Sequence, residues 1–207
     1  MTRKALALRH FKRADPYFYR KTKPLHHLLP AQLSEKRTRS ALFAALVSIV
    51  ISQQLGTAAA DTIFSRVRTV CGGRLTSLSL LRIRPETLHR VGLSGAKTKT
   101  LKAIAKAVED GSLDLLVLKR LSEAEATSRL VSLWGLGPWS AEMFMMSALG
   151  RGDIFSSGDL GLIRAMERLY GLPKGSSRDT FLAISEKWAP HRTYASLLLW
   201  AVRDRAL

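Results

Sequence analysis

Apolar residues recur at helical spacing along most of the chain. Leu42, Leu46, Ile49 and Val50 form one stripe, Leu101, Ile104, Ala105 and Val108 a second, and Leu130, Leu133, Met143, Met146 and Leu149 a third. No segment of strict alternation competes with them. Gly72-Gly73, Gly92 with Gly95, Gly135 with Gly137, Gly158 and Gly171 punctuate the runs as turns or caps, so the pattern predicts about ten short helices and essentially no sheet. The expected fold class is all-α. The longest apolar run, Ala41 to Ile51, is too short to span a bilayer and leads into Gln53 and Gln54, so it reads as a buried core helix. No cleavable signal pattern precedes it.

Helix starts carry recognisable caps. Ser122-Glu123-Ala124-Glu125 is a capping box, and Ser94, Thr57 and Asp159 stand where a side-chain oxygen can serve exposed backbone donors. Pro85, Pro138 and Pro190 each fall where a first helical turn can begin without needing the missing N–H. With no internal repeat and no low-complexity linker, the 207 residues read as a single unit of two helical lobes.

Charge narrows the class of partner. The chain has 33 Lys and Arg against 16 Asp and Glu, a formal net charge of +17, which is the balance of a polyanion binder. Residues 1–40 hold eleven of the basic residues and only Asp15 and Glu35 on the acidic side. Such a run reads either as a solvated tail or as a phosphate contact, and Phe11, Tyr17, Phe18 and Tyr19 within it argue that part of it packs. Cys71 is the only cysteine, which excludes a disulfide framework, a zinc ribbon and a four-cysteine cluster and suits an intracellular protein. The five histidines, at 10, 26, 27, 89 and 191, have no metal-ligand spacing, so no catalytic metal is expected.

The segment Leu133-Trp134-Gly135-Leu136-Gly137-Pro138-Trp139-Ser140-Ala141 lies between a helix ending near Ser132 and another starting near Pro138. Two glycines around one apolar residue let the backbone turn tightly. Leu136 then plugs the gap between the helices, and main-chain N–H groups at a helix N-terminus face outward, which suits a phosphate. A tight helix–helix turn without a ligand is the plainer alternative.

Around this hairpin the sequence resembles the helix-hairpin-helix DNA glycosylases, and within them the 3-methyladenine/alkylpurine branch. The resemblance runs from about Phe43 to Trp200 and rests on four blocks: Ile51 to Leu55, Gly92 to Leu101, Leu133 to Phe144 with Leu149 to Leu162, and Trp188 to Trp200. It implies two lobes around a DNA-binding cleft, lobe A from about residues 1–40 plus 160–207 and lobe B from about 41–159. It also implies excision of alkylated purines from damaged double-stranded DNA by base flipping, by a monomer and with no cofactor beyond a structural Na+ or K+ at the hairpin.

The resemblance assigns the catalytic carboxylate to Asp159 and leaves Asp153 a structural or capping part. It places Trp139 and Trp200 in the base pocket, with Met143 where some relatives have a tyrosine, a departure that touches substrate range. Leu55, flanked by Gln54 and Gly56, matches the wedge that fills the vacated stack. Ser94 and Lys97 stand in a second backbone-binding turn, while Gly135, Leu136, Gly137 and Ser140 supply the hairpin contacts. The carbonyls of Val131, Leu133 and Leu136 match the ion ligands. Bifunctional members carry a lysine two residues after the second hairpin glycine; this chain has Trp139, which implies a monofunctional enzyme. Trp134 and Trp188 read as core residues. Two other readings stay open: a non-enzymatic duplex-DNA-binding protein that keeps the hairpin, and a glycosylase for oxidised or deaminated bases.

Overall fold

The computed structural model describes residues 1–205 and is helical throughout, with no strand among those residues. In chain order the helices are α1 (Arg3–Ala14), α2 (Pro16–Thr22), α3 (Arg39–Ser52), α4 (Thr57–Val70), α5 (Ser77–Arg82), α6 (Pro85–Arg90), α7 (Gly95–Glu109), α8 (Glu123–Val131), α9 (Pro138–Ser147), α10 (Leu160–Tyr170), α11 (Arg178–Glu186) and α12 (Arg192–Arg205). Short 3-10 turns at Lys23–Leu28 and Val117–Lys119 supplement them. Relative to the expected ten, the additions include α5 and α6, which at six residues each are too short to show a helical period. No helix among the described residues is long and apolar enough to cross a membrane.

The chain divides into two compact units, one of residues 1–34 with 150–207 and one of residues 35–149. The expected boundaries near 40 and 160 therefore move. Residues 150–159 belong with the first unit because Asp153, Ile154 and Ser157 are hydrogen-bonded to α11 and α12.

In the first unit the basic N-terminal region is no tail. Phe11 and Phe18 are fully buried with Trp188, Tyr194 and Leu198, and the rings of Phe18 and Trp188 are 4.8 Å apart. Asp15 anchors this core. It is 5% exposed, caps α2 through the Phe18 N–H at 3.0 Å, and accepts from the Tyr170 hydroxyl at 2.6 Å and the Trp188 indole N–H at 3.2 Å. A buried carboxylate needs such partners, since an unpaired one costs several kcal/mol. Burial and the neighbouring Asp15 carboxylate hold the Tyr170 phenol far above its ordinary range.

In the second unit α3 is apolar on nearly every side and lies in the core, with Leu42, Leu46, Val47, Val50 and Ile51 fully buried. Two lysines of α7 finish neighbouring helices. Lys102 Nζ donates to the Leu80, Leu81 and Ile83 carbonyls at the end of α5. Lys97 Nζ donates to the Ile51 and Gln53 carbonyls at the end of α3. Cations placed there satisfy orphan carbonyls and complement the negative end of the helix dipole.

Local expectations hold at most caps. Ser122 and Glu125 form the capping box, Ser94 and Asp159 are N-caps, and Pro85 and Pro138 open their helices. Two shift. Gly56 rather than Thr57 caps α4, and Pro190 lies in the turn ahead of α12.

Candidate catalytic carboxylate and nucleic-acid interface

The hairpin joins α8 to α9. At Gly135 φ is +83°, and a Cβ built there would lie 2.0 Å from Thr100 Oγ1, so both conformation and space require glycine. Gly137 precedes α9 as its N-cap, with extended backbone and nothing within 4 Å of an added Cβ. Its role is to leave the first turn of α9 uncovered, where N–H groups have no intrahelical acceptor. Leu136 is 6% exposed and fills the turn. The Gln53 side-chain amide donates to the Gly135 carbonyl at 3.1 Å and to Ser140 Oγ at 3.0 Å, tying the hairpin to the end of α3. Ser140, expected at the DNA surface, is 2% exposed with its hydroxyl engaged by Gln53, so its side chain supports the hairpin from within.

The carbonyls of Val131, Leu133 and Leu136 fall within this turn. That of Leu133 accepts the Leu136 N–H at 3.1 Å, which leaves its second lone pair. Neutral carbonyl oxygens of this kind fit a hard monovalent cation. Among the described residues no group of three or more His, Cys, Asp or Glu side chains could hold a metal ion.

The loop after α3 carries the residues expected as the wedge, and they are exposed. Gln54 has φ of +56° and is exposed, Leu55 is 39% exposed, and Gly56 is exposed. A non-glycine residue in the left-handed region stores about 1–2 kcal/mol, so the backbone around it must be held. The Lys97 ammonium holds the side ahead of Gln54, with Nζ at 2.7 Å from the Ile51 carbonyl and 2.8 Å from that of Gln53. Its burial pushes the Lys97 amine below its ordinary range. Lys97 therefore holds the backbone at the end of α3 with two of its three donors. Ser94 Oγ accepts the Lys97 N–H at 3.3 Å as the cap of α7.

Asp159 closes the loop of residues 150–159 in the first unit, and this loop is heavily tied. Asp153 makes a two-pronged ion pair with Arg192, Oδ1 to Nε at 2.9 Å and Oδ2 to Nη2 at 3.1 Å, and Oδ1 also accepts the Arg192 backbone N–H. Thr193 Oγ1 donates to the Arg151 carbonyl at 2.7 Å and accepts the Ile154 N–H at 3.1 Å. Arg178 Nε donates to Ser157 Oγ at 2.8 Å. The Asp159 carboxylate is half-buried at the N-terminus of α10. Its Oδ1 accepts the Leu162 N–H at 2.9 Å and the Trp200 indole N–H at 3.1 Å. A Cβ on Gly161 would meet both Asp159 Oδ1 at 3.0 Å and Arg203 Nη1 at 2.6 Å, so the missing side chain admits a guanidinium beside the carboxylate.

Of the residues expected to hold a base, Trp139 is half-buried and Met143 is 9% exposed; both lie on α9 four residues apart, hence on one face. Trp200 is half-buried on α12 in the first unit. Trp188 is core as expected, but Trp134 is not: it is 49% exposed, with Lys99 Nζ 4.4 Å from its ring centroid. Arg178, Arg192 and Arg203 were not anticipated as parts of the site, and Gln53, expected at a loop after α3, was not anticipated as the tie to the hairpin. Arg192 had a signal, since it lies in the block from Trp188 to Trp200 that carries the resemblance; Arg178 and Arg203 had none.

Comparison with known proteins gives one consistent answer. A family described as HhH-GPD superfamily base excision DNA repair protein matches residues 47–191. The chain is 31% identical to DNA-3-methyladenine glycosylase 1 of Schizosaccharomyces pombe over 92% of its length and 84% of that protein's. It is 26% identical to the putative DNA-3-methyladenine glycosylase YfjP of Bacillus subtilis over 77% of its length, and spans 58% of the length of that relative. Among solved structures, the S. pombe 3-methyladenine DNA glycosylase Mag1 in complex with abasic DNA superimposes with a TM-score of 0.88 at 30% identity, covering 97% of both chains. A DNA-3-methyladenine glycosidase of Bacillus halodurans follows with a TM-score of 0.79 at 31% identity, covering 100% of this chain and 93% of that one.

Proposed function

This chain belongs to the HhH-GPD superfamily of base excision DNA repair proteins, and on that footing we propose that it is a monofunctional DNA glycosylase that hydrolyses the N-glycosidic bond of alkylated purines in double-stranded DNA. The observation that carries the reading is Asp159, fixed through Oδ1 by the Leu162 N–H and the Trp200 indole at the end of a loop whose side chains are tied to α11 and α12.

Breaking the bond between deoxyribose and a purine builds positive charge on the sugar as the electron pair leaves with the base. A preorganised carboxylate about 4 Å away is worth roughly 4 kcal/mol at an effective dielectric near 20, or about a thousandfold in rate. Alkylation at N3 or N7 already makes the base a cation, so it departs with little need of an acid, and electron-rich indoles suit it. Trp139, Trp200 and Met143 are the side chains assigned to the base. Leu55, presented between Gln54 and Gly56, takes the place of the extruded nucleotide in the stack. The first turn of α9 behind Gly135 and Gly137 receives a backbone phosphate, and the carbonyls of Val131, Leu133 and Leu136 would hold a monovalent cation that offsets phosphate charge there. Trp139 occupies the position where a lysine nucleophile would sit, so water completes the reaction and an abasic site is the product. The enzyme acts as a monomer on DNA inside the cell.

The test is release of 3-methyladenine and 7-methylguanine from methylated duplex DNA, with strand cleavage scored separately. The wild type frees base without cutting the strand, and Asp159→Asn is about a thousandfold slower while still binding DNA. Binding by both proteins with no base released by either would replace this reading with that of a non-catalytic DNA-binding protein.

A further inference from the structure

The exposed indole of Trp134 is anomalous for a helical protein, and its surroundings say what it is for. It precedes Gly135 in the hairpin and is 49% exposed. The hairpin is fixed on α7 by the close approach of Gly135 to Thr100, and Lys99, the residue before Thr100, puts its ammonium 4.4 Å from the Trp134 ring centroid. A large apolar ring is thus held in solvent with a cation parked on it, in the same hairpin as the first turn of α9, whose backbone donors suit a phosphate. We propose that Trp134 and Lys99 form a further DNA-backbone contact, the indole packing on a deoxyribose next to the phosphate held by the hairpin and the ammonium binding the adjoining phosphate. This rests on the reading of the chain as a DNA-binding enzyme and adds to it a contact outside the hairpin's main chain.

DNA is the occupant favoured over a protein partner by three features together. The chain carries a net charge of +17. The patch is continuous with the hairpin. An amphipathic ring beside a cation also matches the alternation of apolar sugar and anionic phosphate along a strand. Such a contact reads no sequence. It raises affinity for any duplex and adds to the salt dependence, because each neutralised phosphate releases counterions.

The experiment measures affinity of the full chain for an undamaged duplex across a salt series. Lys99→Gln weakens binding and lowers the slope of log affinity against log salt by about one. Trp134→Ala weakens binding about fivefold, the scale for burying part of an indole against a sugar, and Trp134→Phe recovers most of the loss. Lys106→Gln, an exposed charge on the same helix two turns further along, is the control for net charge and matches the wild type in affinity. Wild-type affinity and slope in Trp134→Ala and Lys99→Gln would overturn the contact while leaving the enzyme reading intact. A wild type that binds duplex without salt dependence, or not at all, would sink the enzyme reading and this contact together.

Discussion

Replacing Asp153 by Ala tests whether the loop that ends at Asp159 is held by its ion pair with Arg192. The pair has two charge-assisted hydrogen bonds, at 2.9 and 3.1 Å, and the two side chains are 35% and 24% exposed. A hydrogen bond to a charged group contributes about 1.5–3 kcal/mol when shielded, and exposed ion pairs contribute about 0.2–1 kcal/mol, so this half-exposed pair is expected to couple by about 1–2 kcal/mol. Arg192 also reaches Glu186 at 3.2 Å, so its own replacement loses more than the one partner. A double-mutant cycle of Asp153→Ala and Arg192→Ala removes that surplus and isolates the pair. Asp153→Ala additionally strips the Arg192 N–H at the start of α12 of its acceptor, which brings its total cost to about 2 kcal/mol and lowers Tm by about 4–8 °C. Because Asp159 ends the same loop, single-turnover base release falls ten- to hundredfold, the scale for misplacing a reacting group by about 1 Å. Urea unfolding of the four proteins gives the coupling. A value below about 0.5 kcal/mol, with base release unchanged, would refute the claim that this pair holds the loop.

Gly135→Ala is expected to cost about 3 kcal/mol, from the left-handed backbone and the overlap with Thr100, and to abolish duplex binding; pairing it with Thr100→Ala recovers only the steric share, and full recovery in a thermal melt would contradict the φ argument. Lys97→Met weakens duplex binding by loosening the loop after α3 but keeps the salt slope of the wild type, since two of the three donors serve carbonyls; a slope lower by about one would show that the third donor reaches a phosphate. Acid is expected to destabilise the fold: the imidazoles of His26 and His191 are held below the ordinary 6.5 by burial, aided by Lys4 and Lys23 for the first and by His10, against Asp153, for the second. The unfolded chain therefore takes up these protons first, and stability present above pH 6.5 is lost as pH falls below it. His26→Gln with His191→Gln should flatten Tm between pH 7.5 and 5.5, and an unchanged slope would assign the effect elsewhere.

What was legible in the sequence divides by range. Helix periodicity and caps depend on neighbours within four residues, so the all-helical fold, the capping box at Ser122 and the cap at Asp159 could be read directly. The hairpin could be read from its two glycines and the helices on either side, and the family resemblance added the expected wedge by position. Side-chain direction was not legible. Lys97 and Lys99 are two residues apart and equally basic, yet one turns in to the end of α3 and the other lies on Trp134; only the packing of α7 against α3 and the hairpin separates them. Ser140 and Gln53 look like surface polar residues until they are seen to satisfy each other, because the bond between them spans 87 positions. Trp134 departs from the usual burial of tryptophan, standing 49% exposed with Lys99 on its ring.

The division of the chain also sets an order of assembly. Residues 35–149 are contiguous, so the unit with the hairpin and the wedge can form while the ribosome is still extending the polypeptide. The unit bearing Asp159 is stitched from residues 1–34 and 150–207 and cannot close before α12, which supplies Trp200 and Arg192, has been made. Its contacts are long in sequence and slow to collect. A nascent or truncated chain can therefore hold the hairpin and wedge before it can catalyse. Supplying α12 early by circular permutation should speed maturation of the carboxylate without altering the hairpin.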